Sequence, residues 1–245
     1  MGDEASFNAI HEALCRTDFK EYADKVKESL NPFSSFQTDR SLLRLAEKQM
    51  EMAKLVVERD VITSWKKVAG VDAAYEEDNV YSACIVVDQS GRVVSKGSAK
   101  VETNFPYIPS YFYWREGPAL SAAVRGLDFD ILIVNAHGVA HPRRLGLASQ
   151  LGLKLEKPTI GVSKQLLIGE IGKQRDGEAE IILGDTCVGV RLDGKPPLMV
   201  SVGHKISLET AVSVVRGFWT GEGLPRPLAL ANNLARASIH NTKLL

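Results

Sequence analysis

Between residues 42 and 57, apolar side chains recur at three-and-four spacing: Leu42, Leu45, Ala46, Ala53, Val56 and Val57. That spacing predicts an amphipathic helix over 41–59 laid on a core. From Val68 the period falls to two. The runs 68–75, 80–88 and 92–103 read as strands, separated by Glu77-Asp78-Asn79 and Gln89-Ser90-Gly91. Connections this tight give an antiparallel meander. Helices are then predicted over 116–127 and 142–156, alternating with strands over 130–135 and 158–162. Helices between strands imply parallel pairing. Strands over 180–183, 188–192 and 198–202 follow. The chain closes with helices over 207–219, capped by Ser207, and over 227–237.

A meander followed by β-α-β on one mixed sheet, flanked by helices, is the order of a ribonuclease-H-like α/β fold, an order that other α/β sheets share. The first forty residues read differently. A short charged helix over 17–30, with Thr17 as its cap, precedes a Pro/Ser-rich break over 31–39. We therefore expect an N-terminal extension over 1–40, its role unassigned, and one domain over 41–245. Hydrophobic residues at 44% suit a chain with a real core. The apolar runs are too short to span a membrane, and no apolar signal core opens the chain. Cys15, Cys84 and Cys187 are few and far apart. That suits thiols in a reducing compartment, and a cytoplasmic location is expected. No zinc-site spacing is present.

Lys+Arg and Asp+Glu are both 30, so a general basic coat is excluded. The balance is uneven, however. Residues 141–175 hold seven Lys or Arg (143, 144, 154, 157, 164, 173 and 175) against two acids (156 and 170). A basic segment of this kind suits phosphate contacts or, equally, a solvated helix face.

Asp72 lies inside the apolar run VAGVDAAY, where a carboxylate is expensive unless paired or bound to metal, or faces water at a strand edge. Glu116 opens the predicted helix in WREGPAL, where a helix dipole alone would favour it. A buried strand ends at Asn135 in DILIVNAHGVAHPRRLG, and topology places Asn135, His137, Gly138, His141 and Arg143 beyond its carboxyl end, where α/β sheets bind ligands. Lys164 follows the next strand. His204 lies in SVGHKISLET, where a loop hydrogen bond is its bland role. Residues 105–114 (FPYIPSYFYW) carry six of the seventeen aromatic residues. Two prolines stiffen the loop around Tyr107, which suits stacking on or wedging between bases, while Phe112 and Trp114 suit core packing as well.

Together these motifs resemble the endonuclease V family of hypoxanthine-directed nucleases. The resemblance is carried by VAGVDAAY (68–75), PYIP…REGPAL (106–120), GVAHPRRLGLASQLGLKLEKPTIGVSK (138–164) and VGHKISLETAV (202–212), and runs from about residue 41 to 237. It implies a ribonuclease-H-like fold and a divalent metal, Mg²⁺ with Mn²⁺ as substitute. It also implies cutting of inosine-containing DNA or RNA at the second phosphodiester on the 3′ side of the base, leaving 3′-hydroxyl and 5′-phosphate ends. By position, Asp72 and Glu116 resemble the first two metal ligands and Asn135 stands at the third. Lys164 resembles the basic residue beside the scissile phosphate, and His204 the late active-site histidine. Tyr107, Ile108 and Pro109 resemble the wedge. Ala136, Gly138, His141, Arg143, Gly146 and Leu147 resemble the pocket for the flipped base. A monomer with no membrane partner is expected.

The chain departs from the family pattern at Asn135-Ala136, where the family has Asp-Gly. An asparagine carbonyl is a poorer Mg²⁺ ligand than a carboxylate, so Mg²⁺ should bind weakly and Mn²⁺ should support more activity. Asp130 lies five residues back, roughly 16 Å down the strand, too far to replace it. Ser110–Trp114 is bulkier than usual, and Gln150 stands where histidine is common. Three functions remain open: an inosine-directed metal nuclease, a non-cutting inosine binder, and a nuclease of the same fold with another substrate.

Overall fold

The computed structural model describes residues 42–241. The helix over 17–30, the break over 31–39, the division at residue 40 and Cys15 lie outside the described residues. Helix α1 (Leu42–Ala53) leads into β1 (Lys67–Glu76), β2 (Asn79–Asp88) and β3 (Val93–Glu102). Helix α2 (Phe112–Ala123), β4 (Ile131–Val134), α3 (Leu147–Leu155) and β5 (Thr159–Ser163) form the crossover part. Then come β6 (Glu170–Ile171), β7 (Glu178–Leu183), β8 (Thr186–Leu192), β9 (Leu198–His204), α4 (Leu208–Gly217) and α5 (Arg226–Asn241).

The nine strands of the described residues join one sheet in the order β3-β2-β1-β4-β5-β9-β8-β7-β6. The meander is antiparallel, while β1, β4 and β5 run parallel at the centre. The mixed sheet expected of a ribonuclease-H-like α/β fold is therefore present.

Alternation along β1 sorts the sheet's two faces. Ala69 and Val71 pack with Leu120 and Ala123 of α2 and with Ala148 and Leu151 of α3. Val68 packs with Val214 and Val215 of α4 and with Leu228 and Ala231 of α5. Further along that second face, Ala74 meets Ala235 of α5. At Gly70 the backbones nearly touch, since a Cβ there would lie 2.4 Å from the Leu228 nitrogen.

Three boundaries differ from expectation. Helix α1 stops at Ala53 because the next residues are captured by the end of β9: Lys205 N–H donates to the Val57 carbonyl at 2.6 Å. Helix α2 begins a turn early, at Phe112. A start at Glu116 would have set Pro118 in the first turn, where its missing N–H costs nothing; instead Pro118 lies inside the helix, on its exposed side. Helix α3 begins late, at Leu147, because Arg144 takes a left-handed backbone (φ 54°) that ends any helix begun at Pro142. Strand β6 was not anticipated; two residues are too few for a periodic signal. The predicted cap holds, as the Ser207 hydroxyl accepts the Thr210 N–H at 3.1 Å. Among the described residues, no helix is long and apolar enough to cross a membrane.

Candidate active site

Strand β1 outlasts its neighbour. Its last pair with β4 is Val71 with Val134, so Asp72 stands level with Asn135 at the open carboxyl end of β4. Asp72 is 6% exposed, and every bond it makes is to an N–H donor. One carboxylate oxygen accepts the Ala73 N–H at 2.8 Å. The other accepts the Asn135 amide at 3.0 Å and the Asn232 amide of α5 at 2.6 Å. Burial pushes this carboxyl above the usual range, while the three donors and the charge of Arg236 pull it back.

Glu116 belongs to the opposite face. It lies in the second turn of α2 and so is not the helix-start charge predicted for it; it accepts the Tyr75 hydroxyl. Burial pushes its carboxyl up to about 7, and the negative charge of Asp72 adds to the rise against the Tyr75 bond and Arg115. The Arg115 guanidinium lies 5.1 Å from the Tyr75 ring centre and donates to the Phe105 carbonyl at 2.6 Å. The two carboxylates thus occupy one sheet margin from its two faces and sense each other's charge.

Tyr107 overlooks this margin. It is 55% exposed, its ring lies 4.6 Å from that of Phe112, and burial and the Glu116 charge both raise its phenol. Lys164 is exposed where β5 ends, at the same end of the sheet. Pro109 is half-buried beside Ile108, which is fully buried and anchors the loop, so Ile108 is corrected from a contact residue to a core residue.

A sequence profile of the family described as Endonuclease V matches residues 50–233. The chain belongs to the endonuclease V family. An endonuclease V of Thermofilum pendens is 40% identical over 205 residues, covering 80% of this chain and 88% of that relative. The crystal structure of endonuclease V from Streptomyces avermitilis has a TM-score of 0.76 and 30% identity, covering 86% of this chain and 97% of that one. Endonuclease V of Ciona intestinalis, in complex with a 24mer DNA containing an inosine followed by a ribo-adenosine, has a TM-score of 0.74 and 25% identity, covering 84% and 100%. The chain is thus an endonuclease of known fold.

Several residues expected at the site are placed elsewhere or are already engaged. Arg143 is buried. It donates to Gln49 of α1 at 2.6 Å and to the Ser110 hydroxyl at 2.8 Å, and its guanidinium lies 4.4 Å from the Tyr111 ring centre. Its Nε and Nη2 donors are spent on the frame, since donors taken from water are costly unless met. His141 is also buried. Its Nδ1 accepts the Arg143 N–H at 3.2 Å, which leaves Nε2 to donate to the Ser110 carbonyl at 3.0 Å. Gly138 and Gly146 serve close packing: a Cβ on the first would lie 1.9 Å from the Val202 carbonyl oxygen, and on the second 2.2 Å from that of His137. Ala136 and Leu147 are buried in the core beneath α3.

His204 is not at this end of the sheet. It pairs with Thr159 at the start of β5, roughly 10 Å along the strands and 14 Å across them from Asp72. Its Nδ1 accepts the Val57 N–H at 3.2 Å, so it holds the segment after α1. Of the basic segment, Arg144 pairs with Glu58 at 2.6 Å and Lys157 donates to the Phe129 carbonyl at 2.9 Å, while Lys164, Lys173 and Arg175 are exposed.

The site also holds residues not singled out from sequence. Asn232 and Gln49 had a usable signal: each is an amide in phase with an apolar stripe, Asn232 four residues after Leu228 and Gln49 four before Ala53. Tyr75 had none, since strand alternation puts it on the face opposite Asp72.

As arranged, these groups do not fit a divalent ion. Among the described residues no three His, Cys, Asp or Glu come together as a metal set. The two amides turn N–H groups, not carbonyl oxygens, toward Asp72. Hard cations need oxygen donors and favour carboxylates.

Proposed function

We propose that the chain is an inosine-directed endonuclease, a monomer of the cytoplasm acting on DNA or RNA in repair or in inosine-RNA processing. It cuts at the second phosphodiester on the 3′ side of the base and leaves 3′-hydroxyl and 5′-phosphate ends. The observation that carries the reading is the exposed Tyr107 ring above a carboxylate pair at the sheet's open end. The inosine-containing DNA bound by the Ciona intestinalis relative supports the target.

In this reading each residue has a bounded task. Tyr107 stacks into the gap left by a displaced base, held by its contact with Phe112. Extruding a poorly paired base costs less than extruding a normal one, which favours inosine. Lys164 supplies a positive charge to the strand's phosphates. Glu116, pushed up to about 7, holds or releases a proton near neutrality, and the Tyr75 hydroxyl that donates to it holds the carboxyl in place. The loop over 135–147 frames the site and leaves base contact to groups at its rim.

A second reading, a binder that retains inosine strands without cutting, is favoured by one observation: both amides beside Asp72 are neutral and donate to it. A labelled oligonucleotide with one inosine, incubated with Mg²⁺ or Mn²⁺ beside a matched adenosine strand, decides between them. Cutting confined to the inosine strand upholds the endonuclease. Retention without product upholds the binder, and indifference to inosine defeats both.

A further inference from the structure

We infer that Asn135 and Asn232 together do for Asp72 what a cation would do, so that this chain grips inosine-containing strands without a divalent ion. The inference rests on the inosine reading above and adds to it the ionic condition of binding.

The argument starts from what a buried carboxylate needs. Asp72 is almost fully buried and lies in an apolar strand between Val71 and Ala73. A bare charge there is unstable unless donors or a cation neutralise it. Three donors do so, from three separate elements: the backbone of β1, the end of β4 and the middle of α5. A carboxylate only accepts, so the amide atom facing it must be nitrogen. With the other oxygen turned inward, each asparagine would set two oxygens against each other and lose its bond.

The same geometry works against metal. The two amide N–H groups fill the approach to one Asp72 oxygen, and their hydrogens carry positive partial charge. An Mg²⁺ ion must come within about 2.1 Å of an oxygen ligand and keep near-octahedral geometry. To admit one at that oxygen, both amides have to turn and give up their bonds to Asp72. Nor is there surplus negative charge to draw the ion in. Arg236 acts on Asp72, and Arg115 acts on Glu116 from the other face, so two cations already answer two carboxylates. An amide pair is also permanent, whereas a metal dissociates. The carboxylate is therefore balanced whether or not metal is present, and the frame around Tyr107 is complete before the strand arrives.

The test uses the full chain. Fluorescence anisotropy measures its affinity for a labelled inosine oligonucleotide and for the matched adenosine strand, each in EDTA and in Mg²⁺. In parallel, Tm is measured with and without Mn²⁺ for the parent and for the N135D/N232D variant. The inference expects the inosine affinity to agree within about twofold between EDTA and Mg²⁺, and the parent's Tm to stay put with Mn²⁺. In the variant, Mn²⁺ should raise Tm, and inosine affinity should become weaker in EDTA than in Mn²⁺. A tenfold or greater loss of the parent's inosine affinity in EDTA overturns the inference and leaves the inosine target standing. Equal Mn²⁺-induced rises in Tm for parent and variant overturn it as well. Absence of inosine preference in both buffers overturns the target itself. The parent measurement in EDTA decides the matter even if the variant does not fold.

Discussion

Two segments lie over the sheet's open end, and they differ in how their polar and aromatic groups are used. The loop over 135–146 is closed on itself and on its neighbours: His141, Arg143, Gly138 and Gly146 are all bonded or packed inside. The segment over 105–111 is split. Ile108 and Tyr111 are buried, while Tyr107 between its prolines stands out in solvent. One segment is frame and the other is tool. The difference teaches that a motif's polar residues are no guide to contact, because a buried arginine must first satisfy itself. An exposed ring held by buried neighbours is free to do something else.

The comparison breaks most readily at Arg143. Arg143→Ala removes the donors of Gln49 and Ser110 together, and should destabilise the fold by about 2–4 kcal/mol in urea unfolding. A change near zero would return Arg143 to the list of substrate contacts. Tyr107→Ala should do the reverse. Stability should barely move, while discrimination between inosine and adenosine strands falls by about 1–3 kcal/mol, read as a ratio of affinities. Equal discrimination in parent and variant would make Tyr107 part of the frame.

A pH series sharpens the same contrast. Burial, with Arg143 beside it, holds the His141 imidazole well below its usual 6.5. The unfolded chain therefore takes up a proton near pH 6.5 that the folded chain refuses. Stability is full above that pH and falls as pH drops below it. His141→Gln should lessen the fall of the urea midpoint between pH 7 and 5, leaving the share of His137, which burial lowers to about 4. A parent midpoint that rises on acidification would contradict the neutral, doubly bonded ring.

Smaller effects are expected further out. Lys164→Ala should weaken inosine and normal strands alike and lower the salt dependence of binding by about one charge. A loss specific to inosine would place Lys164 at the base instead. Least of all should follow from His204→Gln in an assay of cutting, since His204 sits at the far end of β5 and acts on the Val57 backbone. A tenfold drop in cutting with normal stability would reinstate it at the site.

The sheet was legible in the sequence because its signal is periodic and local: alternation over 68–103, then strand and helix in turn. The ends of α2 and α3 were not, because they depend on Pro118 being tolerated inside a helix and on one left-handed residue, Arg144. Asp72 stood out because a carboxylate in an apolar strand is a visible expense. Its partners were harder to see, for Asn135 and Asn232 are ninety-seven positions apart by their numbers and meet only through the packing of α5 on β1. The burial of Arg143 and Ile108 is likewise a tertiary fact, since nothing in HPRRLG or PYIP says which side chain turns inward. His204 went astray because a histidine at a strand end can face either end of the sheet, and only the antiparallel pairing of β9 with β5 decides which.

The contact at Gly70 sets how far this site can drift in chemistry without losing its shape. Two residues along a strand and four along a helix both advance about 6–7 Å, so Gly70 meeting Leu228 puts Asp72 in step with Asn232. The absent side chain at 70 acts as a gauge block between α5 and β1. Any methyl group there would lift the helix and open the amide bond before position 232 itself had changed. Positions 72, 135 and 232 are therefore free to exchange carboxylate for amide at a constant spacing, since the spacing is kept by a residue that takes no part in the exchange. Lineages that alter what this centre binds would be expected to vary those three positions and to leave residue 70 a glycine.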